Sequence, residues 1–200
     1  MDRPREVVVI GEEDIGKTTL INALLGWDVL PQSYDYLPMP TTEKKRVQLT
    51  DHCWITDTPG YSLLWNTVPD DTVEAVAGAD TVVALLSEEL SEDGIDPADF
   101  DPEWESRRSA EKTLLEKLLA GKSRDIIFVI PYDRGEWPCG YVPLKQGTRL
   151  AKARFASMTD RGTDGFFCVD PMKALIGAIE DDEKAISVSG ITKLKKALLG

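Results

Sequence analysis

The chain has 200 residues, of which 42% are hydrophobic and 29% charged, and its formal net charge is −12. This length suits one domain with a full core, and no apolar run approaches the ~20 residues needed to span a bilayer. The acidic balance gives no support to nucleic-acid binding, which favours basic patches, and three cysteines without paired spacing favour a reducing compartment, so a cytoplasmic protein without a nucleic-acid partner is expected.

The acid excess is concentrated in one segment. Residues 87–105 hold nine acids and no Lys or Arg, while the remaining 26 acids nearly balance the 23 basic residues of the chain. Such a composition favours a solvated, mobile loop. A docking site for a basic protein partner is the alternative interpretation of the same segment.

Strand and helix patterns alternate along the chain. Apolar runs predict strands at 6–10, 80–86, 125–130 and 165–169, and a hairpin from 44–50 and 53–58 with His52 in its turn. Helical spacing is predicted at 17–26, 70–78, 109–121, 148–159 and 189–199. This order predicts an α/β three-layer sandwich: a mostly parallel sheet with one antiparallel hairpin strand and helices on both faces. Residues 1–200 form one domain in this interpretation, with an acidic insertion at about 87–109 and a Gly/Pro-rich loop at about 134–147.

A phosphate-binding loop is predicted between the first strand and the first helix. Gly11 and Gly16, followed by Lys17 and Thr18, match the pattern G-x-x-x-x-G-K-[ST]. The glycines let backbone N–H groups curl around phosphate oxygens, and the helix N-terminus adds positive potential. Lys17, expected to be exposed, would reach the β- and γ-phosphates, and the Thr18 hydroxyl would ligate Mg²⁺. The residues expected to contact nucleotide in this loop are Gly11, Asp14, Ile15, Gly16, Lys17, Thr18 and Thr19.

A second motif follows about forty residues later. Asp57-Thr58-Pro59-Gly60 comes directly after a predicted strand, where Asp57 could hold Mg²⁺ through water and the Gly60 N–H could contact a γ-phosphate. Between the motifs, Thr41 or Thr42 could cover the metal, and Thr42 is taken here as that ligand. The metal set is therefore Thr18, Thr42 and Asp57, and Lys17, Thr42 and Gly60 are the candidate catalytic residues.

These motifs, in this order, resemble those of the translation-factor class of P-loop GTPases. Within that class, "GKTTLINALLGWDVLPQSYDYLPMPTT" is similar to the bacterial dynamin-like and Era-like groups. The resemblance covers about residues 6–86. It implies GTP and GDP binding, Mg²⁺-dependent hydrolysis, and a switch coupled to assembly as a nucleotide-dependent homodimer, often at membranes. Peripheral membrane association is therefore left open.

The chain departs from this family at the base-reading motif. The family's Asn-Lys-x-Asp reads Ile130-Pro131-Tyr132-Asp133 here. Asp133 matches, and could accept hydrogen bonds from guanine N1 and the exocyclic amine. Tyr132 would stack on the base or be a simple loop aromatic. The family's later Ser-Ala loop falls near Val169-Asp170-Pro171, where Pro171 has no N–H to donate.

The chain also departs at the position that orients water. Many small GTPases carry Gln after the Gly of the second motif, and this chain has Tyr61. The resemblance implies that members with an apolar residue there use a monovalent cation near the P-loop, held by an Asn or Ser where this chain has Asp14. Asp14 is therefore a candidate K⁺ ligand, or else a solvent-exposed loop acid.

Three functions remain open at this level. The chain could be a GTPase that acts as a switch or assembly domain. It could be a nucleotide-binding module with little hydrolysis that acts as a scaffold. It could also be a P-loop phosphotransferase that uses ATP, although a kinase lid is expected to be rich in arginine and residues 87–109 are rich in acids.

Overall fold

The computed structural model describes residues 3–30, 41–86, 102–120, 125–131, 149 and 151–200. The first half of the chain forms β1 (Arg5–Ile10), α1 (Lys17–Leu25), β2 (Lys45–Thr50), β3 (Cys53–Asp57), α2 (Asp70–Gly78), β4 (Thr81–Leu85) and α3 (Pro102–Leu119). The second half forms β5 (Asp125–Pro131), α4 (151–155), β6 (Phe166–Val169), α5 (Pro171–Ile179), α6 (Glu183–Val188) and α7 (Ile191–Leu199). Two short 3₁₀ turns, Ala156–Met158 and Gly162–Gly165, join α4 to β6.

The strands form one sheet of six in the order β2-β3-β1-β4-β5-β6. All neighbours pair in parallel except β2 and β3, which form the predicted antiparallel hairpin. His52 lies exposed in the hairpin turn, as predicted. In β1 the register pairs Val7 with Ile55 on one side and with Thr81 on the other. The carboxyl ends of β1, β3 and β4 therefore lie together at one edge of the sheet.

Helices cover both faces of the sheet, so the predicted three-layer α/β fold is confirmed. Val7 and Val9 of β1 point to the face that packs against α1, α5 and α7. Val8 and Ile10 point to the opposite face, which packs against α2, α3 and α4. Alternate residues of a strand face opposite sides, and a segment buried on both sides is apolar, as residues 7–10 of β1 and 82–85 of β4 are.

Three helices differ from the sequence prediction. Helix α3 begins at Pro102 and not near residue 109, so the end of the expected acidic loop is helical, with Glu103 and Glu105 in the first turn. Acids at that end are favourable because of the helix dipole. Helices α5 and α6 were not predicted. Side chains cap both of them, Asp170 with Pro171 at the first turn of α5 and Asp182 at α6, which are ordinary start signals.

Residues 87–101 and the Gly/Pro-rich loop at 134–147 lie outside the described residues. The acidic docking interpretation and the bounds of the Gly/Pro-rich loop therefore stay predictions. Within the described part of the chain, no helix is both long enough and apolar enough to cross a bilayer.

Charged groups tie the chain together at the amino ends of the central strands. The Arg5 guanidinium donates to Thr81 Oγ1, to the Leu198 carbonyl and to Asp125 Oδ2 at 2.7–3.1 Å. Arg161 pairs with the same Asp125 carboxylate. This half-buried network lies at the opposite end of the strands from the loops described next, so it contributes to stability and leaves the other end for chemistry.

Candidate functional site

The loop between β1 and α1 is shaped by one steric constraint and two backbone conformations. A Cβ on Gly11 would lie 2.8 Å from Ile15 Cγ2, so a side chain at this position would force Ile15 to shift. Gly16 has φ of 94°, the left-handed region that favours glycine. Asp14 has φ of 59°, a conformation that Asp adopts more readily than most residues. The predicted P-loop is thus formed by backbone geometry that its sequence permits.

Helix α1 presents its amino end to this loop. Its N-cap is Gly16, which offers no side-chain cap, and its first turn contains no acid. The first N–H groups of a helix lack intrahelical partners and favour an anion. The amino end of α1 therefore has the character of a phosphate site.

Lys17, in the first turn of α1, is buried, although the sequence predicted that it would be exposed. Only 6% of its surface is accessible, and its ammonium donates a 2.8 Å hydrogen bond to the Glu12 carbonyl. Burial lowers the pKa of Lys17, while the charges of Asp57, Asp14 and Glu13 counteract this shift. The ammonium thus lies inside the loop, where the nearby acids are the groups that offset the cost of burying its charge.

Three oxygen-bearing side chains converge beside Lys17. Thr18 Oγ1 donates to Asp57 Oδ2 at 2.7 Å, and Thr41 Oγ1 lies 3.3 Å from both of these atoms. They come from α1, from the end of β3 and from the segment before β2. Thr42, chosen from the sequence as the metal ligand, is exposed, so the geometry favours its neighbour Thr41.

Asp57 is the most deeply buried member of this cluster, with 1% of its surface exposed. Burial raises the pKa of its carboxyl, and the hydrogen bond from Thr18 and the charge of Lys17 act in the opposite direction. Its Oδ1 atom is buried and has no hydrogen-bond partner. An unsatisfied buried oxygen is costly, and such an atom in a folded protein points to an absent ligand or water.

The segment Asp57–Gly60 is held against the P-loop. The Thr58 hydroxyl donates to the Val9 carbonyl at 2.7 Å, and the Thr72 hydroxyl donates to the Pro59 carbonyl at 2.8 Å. A Cβ on Gly60 would lie 2.6 Å from the Glu13 backbone, so only glycine fits. The Gly60 peptide therefore lies directly against the loop predicted to hold phosphate.

Tyr61 extends this contact and is fully buried. Its N–H donates to the Gly11 carbonyl, and its carbonyl accepts from the Glu13 N–H, both at 3.1 Å. Its hydroxyl donates to Glu111 Oε1 of α3 at 2.7 Å. Burial and the nearby Glu111 raise the pKa of Tyr61 well above its ordinary value. Tyr61 is thus a packing residue and not a group that faces the P-loop opening.

Comparison with known proteins supports this interpretation. Residues 6–130 match the model of a family described as 50S ribosome-binding GTPase, which is more than half of the chain. The chain belongs to this GTPase family. No curated protein shows significant sequence similarity to it. The predicted assignment to the translation-factor and Era-like class of P-loop GTPases is confirmed.

Solved structures show the same fold. One is Era in complex with MgGDPNP and nucleotides 1506–1542 of 16S ribosomal RNA, and another is an Aquifex aeolicus Era variant bound to GDP and AlF4⁻. Each is 18% identical with a TM-score of 0.55, and the match covers 94% of this GTPase and 57% of the other chain. The GTPase thus spans little more than half the length of these proteins. The first of these structures contains ribosomal RNA, which counts against the prediction, made from the acidic composition, that there is no nucleic-acid partner.

The base-reading side of the GTPase is less complete. Ile130 is buried in β5 and pairs with Cys168, and Pro131 ends the strand. Asp133 and Tyr132 lie outside the described residues, so their roles stay predictions. At the position of the family's Ser-Ala loop, Asp170 is buried and accepts from the Lys173 N–H as the cap of α5. That side chain is committed to helix structure.

Sequence reasoning missed two sets of supporting residues. Asn22 of α1 is fully buried. Its side-chain amide forms hydrogen bonds with Asp28, Val29 and Leu30, which fix the position of the chain after the helix. A polar residue inside the apolar "LINALLG" pattern was the available signal. Arg107 of α3 pairs with Glu12 of the P-loop at 2.9 Å. No sequence signal could have found this pair, because 95 residues separate its members.

Proposed function

We propose that the chain is a Mg²⁺-dependent switch that binds and hydrolyses GTP at the P-loop. The observation that carries this proposal is the convergence of Thr18, Asp57 and Thr41 beside buried Lys17, with Asp57 Oδ1 left without a partner. The cluster brings a buried carboxylate and two hydroxyls together at one point. They match the oxygen ligands that Mg²⁺ prefers next to phosphates.

The residues present fit the metal. Thr18 would bind it directly, Asp57 through water, and Thr41 would complete the shell when the triphosphate is bound. A metal held by these residues would neutralise negative charge on the phosphates during hydrolysis. The threonines come from different parts of the chain, so the position of Thr41 would depend on whether the γ-phosphate is present. That dependence is the basis of a switch.

Lys17 would bind the β- and γ-phosphates. To do so its ammonium would leave the Glu12 carbonyl, now 2.8 Å away, and turn into the loop. Phosphate charge would raise its lowered pKa, because a nearby anion favours the ammonium form. The Gly60 N–H is the candidate contact for the γ-phosphate, since its peptide lies against Glu13.

Guanine recognition rests on Asp133. The carboxylate would accept from N1 and from the exocyclic amine, and the rest of the family motif is absent at Ile130 and Pro131. The family assignment supports guanine over adenine. An ATP-dependent phosphotransferase has no support from the comparisons.

Hydrolysis by the monomer would be slow. Tyr61, at the position of the water-orienting Gln, is buried with its hydroxyl on Glu111. The same observation favours the second candidate function, a nucleotide-binding module with little turnover. In the GTPase proposal, exposed Asp14 would hold a monovalent cation such as K⁺ beside the phosphates, and a nucleotide-dependent homodimer would stabilise the closed loop.

Single-turnover phosphate release from GTP tests the proposal. Wild type should hydrolyse GTP in Mg²⁺ and lose activity by at least about tenfold in EDTA, because charge neutralisation is lost. Asp57→Asn should lose activity in Mg²⁺ to a similar extent, whereas Asp51→Asn in the exposed β2–β3 turn should not. Hydrolysis by Asp57→Asn at the wild-type rate would contradict the metal assignment. Tight GTP binding without phosphate release would support the second candidate function, a nucleotide-binding module with little turnover.

A further inference from the structure

A short turn after Tyr61 holds two large apolar side chains in solvent. Residues 62–67 close on themselves through reciprocal backbone hydrogen bonds between Ser62 and Thr67, at 3.0 and 3.1 Å. At the tip, Leu64 is 82% exposed and Trp65 is 74% exposed. Asn66 completes the turn with φ of 50°. The tip is therefore held by its own backbone and not by packing of its side chains.

Such an arrangement is costly unless a partner covers it. A Trp side chain buries about 150–250 Å² when it is packed, and exposed apolar groups on an ordered loop are typical of binding hot spots. An ordered loop also avoids part of the entropy cost of association. The 62–67 turn thus has the properties of a binding element.

A recess lies beside the turn. It has a volume of about 320 Å³ and is lined by Asn66, Val68, Val73, Leu114, Lys117 and Leu118. Its walls are the end of the turn, α2 and α3. Apart from Asn66 and the Lys117 head group, these residues offer apolar surface of a kind that suits an indole or a leucine side chain.

Charges of both signs accompany this pair of features. Asp70 and Asp71 form the acidic first turn of α2, just after the turn. Lys117 lies in the wall of the recess on α3. This face therefore contains both halves of a complementary contact. An apolar projection is matched by an apolar recess, and an acidic edge is matched by a basic group.

We propose that this face joins two copies of the chain about a two-fold axis, with the Leu64–Trp65 tip of each copy in the recess of the other. In a two-fold contact the same patch serves both copies, so projection and recess must lie on one face, as they do here. Lys117 of one copy would then lie near the acidic first turn of α2 in its partner. This contact lies on the α2–α3 side and not across the nucleotide.

A lipid surface fits the same tip less well. Asp70 and Asp71 lie next to it, and the chain carries a net charge of −12, so an anionic membrane would repel it. A bilayer also gives no role to the recess. The second copy accounts for the tip, the recess and both charges.

Sedimentation of the nucleotide-free protein tests this inference, which does not depend on GTP binding. Two tips fall short of the ~800 Å² per partner of a standard interface, so we expect a weak dimer with a dissociation constant of roughly 10–100 µM. Trp65→Ala should raise that constant by at least about tenfold. Trp27→Ala is the matched control, because Trp27 is 63% exposed at the end of α1 and should leave the dimer unchanged.

A mixing experiment sharpens the test. Val73→Glu places a carboxylate in the apolar wall of the recess, which should disfavour an apolar side chain there. Val188→Glu is its control, because Val188 on α6 has similar exposure. Trp65→Ala and Val73→Glu should each be monomeric alone. Mixed together, they should form a heterodimer of intermediate affinity, because one intact tip meets one intact recess.

Three results would overturn the proposal. The wild type could stay monomeric at several hundred µM, or Trp65→Ala and Trp27→Ala could weaken a dimer equally. Trp65→Ala and Val73→Glu could also fail to associate when they are mixed, although circular dichroism shows that each variant is folded. Binding of the wild type to anionic vesicles without self-association would assign the tip to a membrane instead.

Discussion

The two ends of the proposed nucleotide site differ in how they are built. On the phosphate side, a Cβ on Gly11 or Gly60 would force neighbouring atoms to shift, Gly16 needs a left-handed backbone, and Thr58 fastens the second motif to β1. On the base side, the family motif keeps only Asp133, Ile130 is core, and Asp170 caps a helix.

The difference follows from what each side must do. Phosphate is recognised by backbone N–H groups and one lysine, so it demands a loop shape that few sequences permit. A base is read by a few side chains on loops, and these can change without loss of the fold. We therefore expect mutations on the phosphate side to abolish binding and mutations on the base side to alter selectivity.

The largest effect is expected at Lys17. Lys17→Ala should lower GTP affinity by roughly 100-fold, about 2.8 kcal/mol, because its ammonium is the buried positive charge of the loop. Calorimetric titration measures this, and Lys184→Ala on α6 is the control. The free energy of unfolding, measured in parallel, should change little, since Lys17 makes one hydrogen bond to a carbonyl. Unchanged affinity in a folded variant would refute the phosphate site.

A change of selectivity is expected at Asp133. Asp133→Asn replaces a pair of acceptors with one acceptor and one donor, which suits the carbonyl at C2 of xanthine better than the amine of guanine. We expect GTP affinity to fall by about tenfold, roughly 1.4 kcal/mol, and xanthosine triphosphate affinity to rise. Competition binding with both nucleotides measures the ratio. Equal losses for both would mean that Asp133 supports the loop and does not read the base.

A smaller effect concerns the cation. If Asp14 holds K⁺ beside the phosphates, GTP hydrolysis should be several-fold faster in K⁺ than in Na⁺ at equal ionic strength. Asp14→Ala should remove this difference and leave GTP affinity within about threefold, under ~1 kcal/mol. Glu13→Ala, at the exposed neighbouring acid, is the control for simple loss of charge. Hydrolysis that is indifferent to the cation in wild type would exclude Asp14 from this role.

The smallest effect on binding is expected at Tyr61. Tyr61→Phe removes the 2.7 Å hydrogen bond to Glu111 and leaves that buried carboxylate with one partner fewer. Unfolding free energy should fall by about 1–3 kcal/mol, whereas GTP affinity should stay within about threefold. Denaturant unfolding and calorimetry measure the two quantities. A fall in hydrolysis rate without a fall in stability would show that Tyr61 acts in the reaction.

The sequence predicted most of the fold because the strands are short apolar runs and the P-loop pattern has a fixed context. It predicted Thr18 and Asp57 as partners because their motifs follow strands whose carboxyl ends meet. It could not separate Thr41 from Thr42, since adjacent threonines differ only in backbone direction. It placed Lys17 in solvent because burial of a charge depends on tertiary packing.

The sequence also failed to predict where some helices begin and which distant residues are in contact. The acidic composition near Glu103 and Glu105 indicated loop, although acids are common in the first turn of a helix. The contacts of Glu111 with Tyr61 and of Arg107 with Glu12 join positions that no local pattern relates. These contacts fasten α3 to both motifs, and the structure alone relates them.

Calorimetric titration of the wild type with GTP, GDP, ATP and ADP, each with Mg²⁺ and with EDTA, measures whether the chain binds guanine nucleotides together with the metal. We expect GTP and GDP to bind more tightly than ATP and ADP, and EDTA to weaken GTP binding more than GDP binding, because the metal would offset the extra charge of the third phosphate. No binding of any triphosphate, or a preference for ATP over GTP, would contradict this expectation.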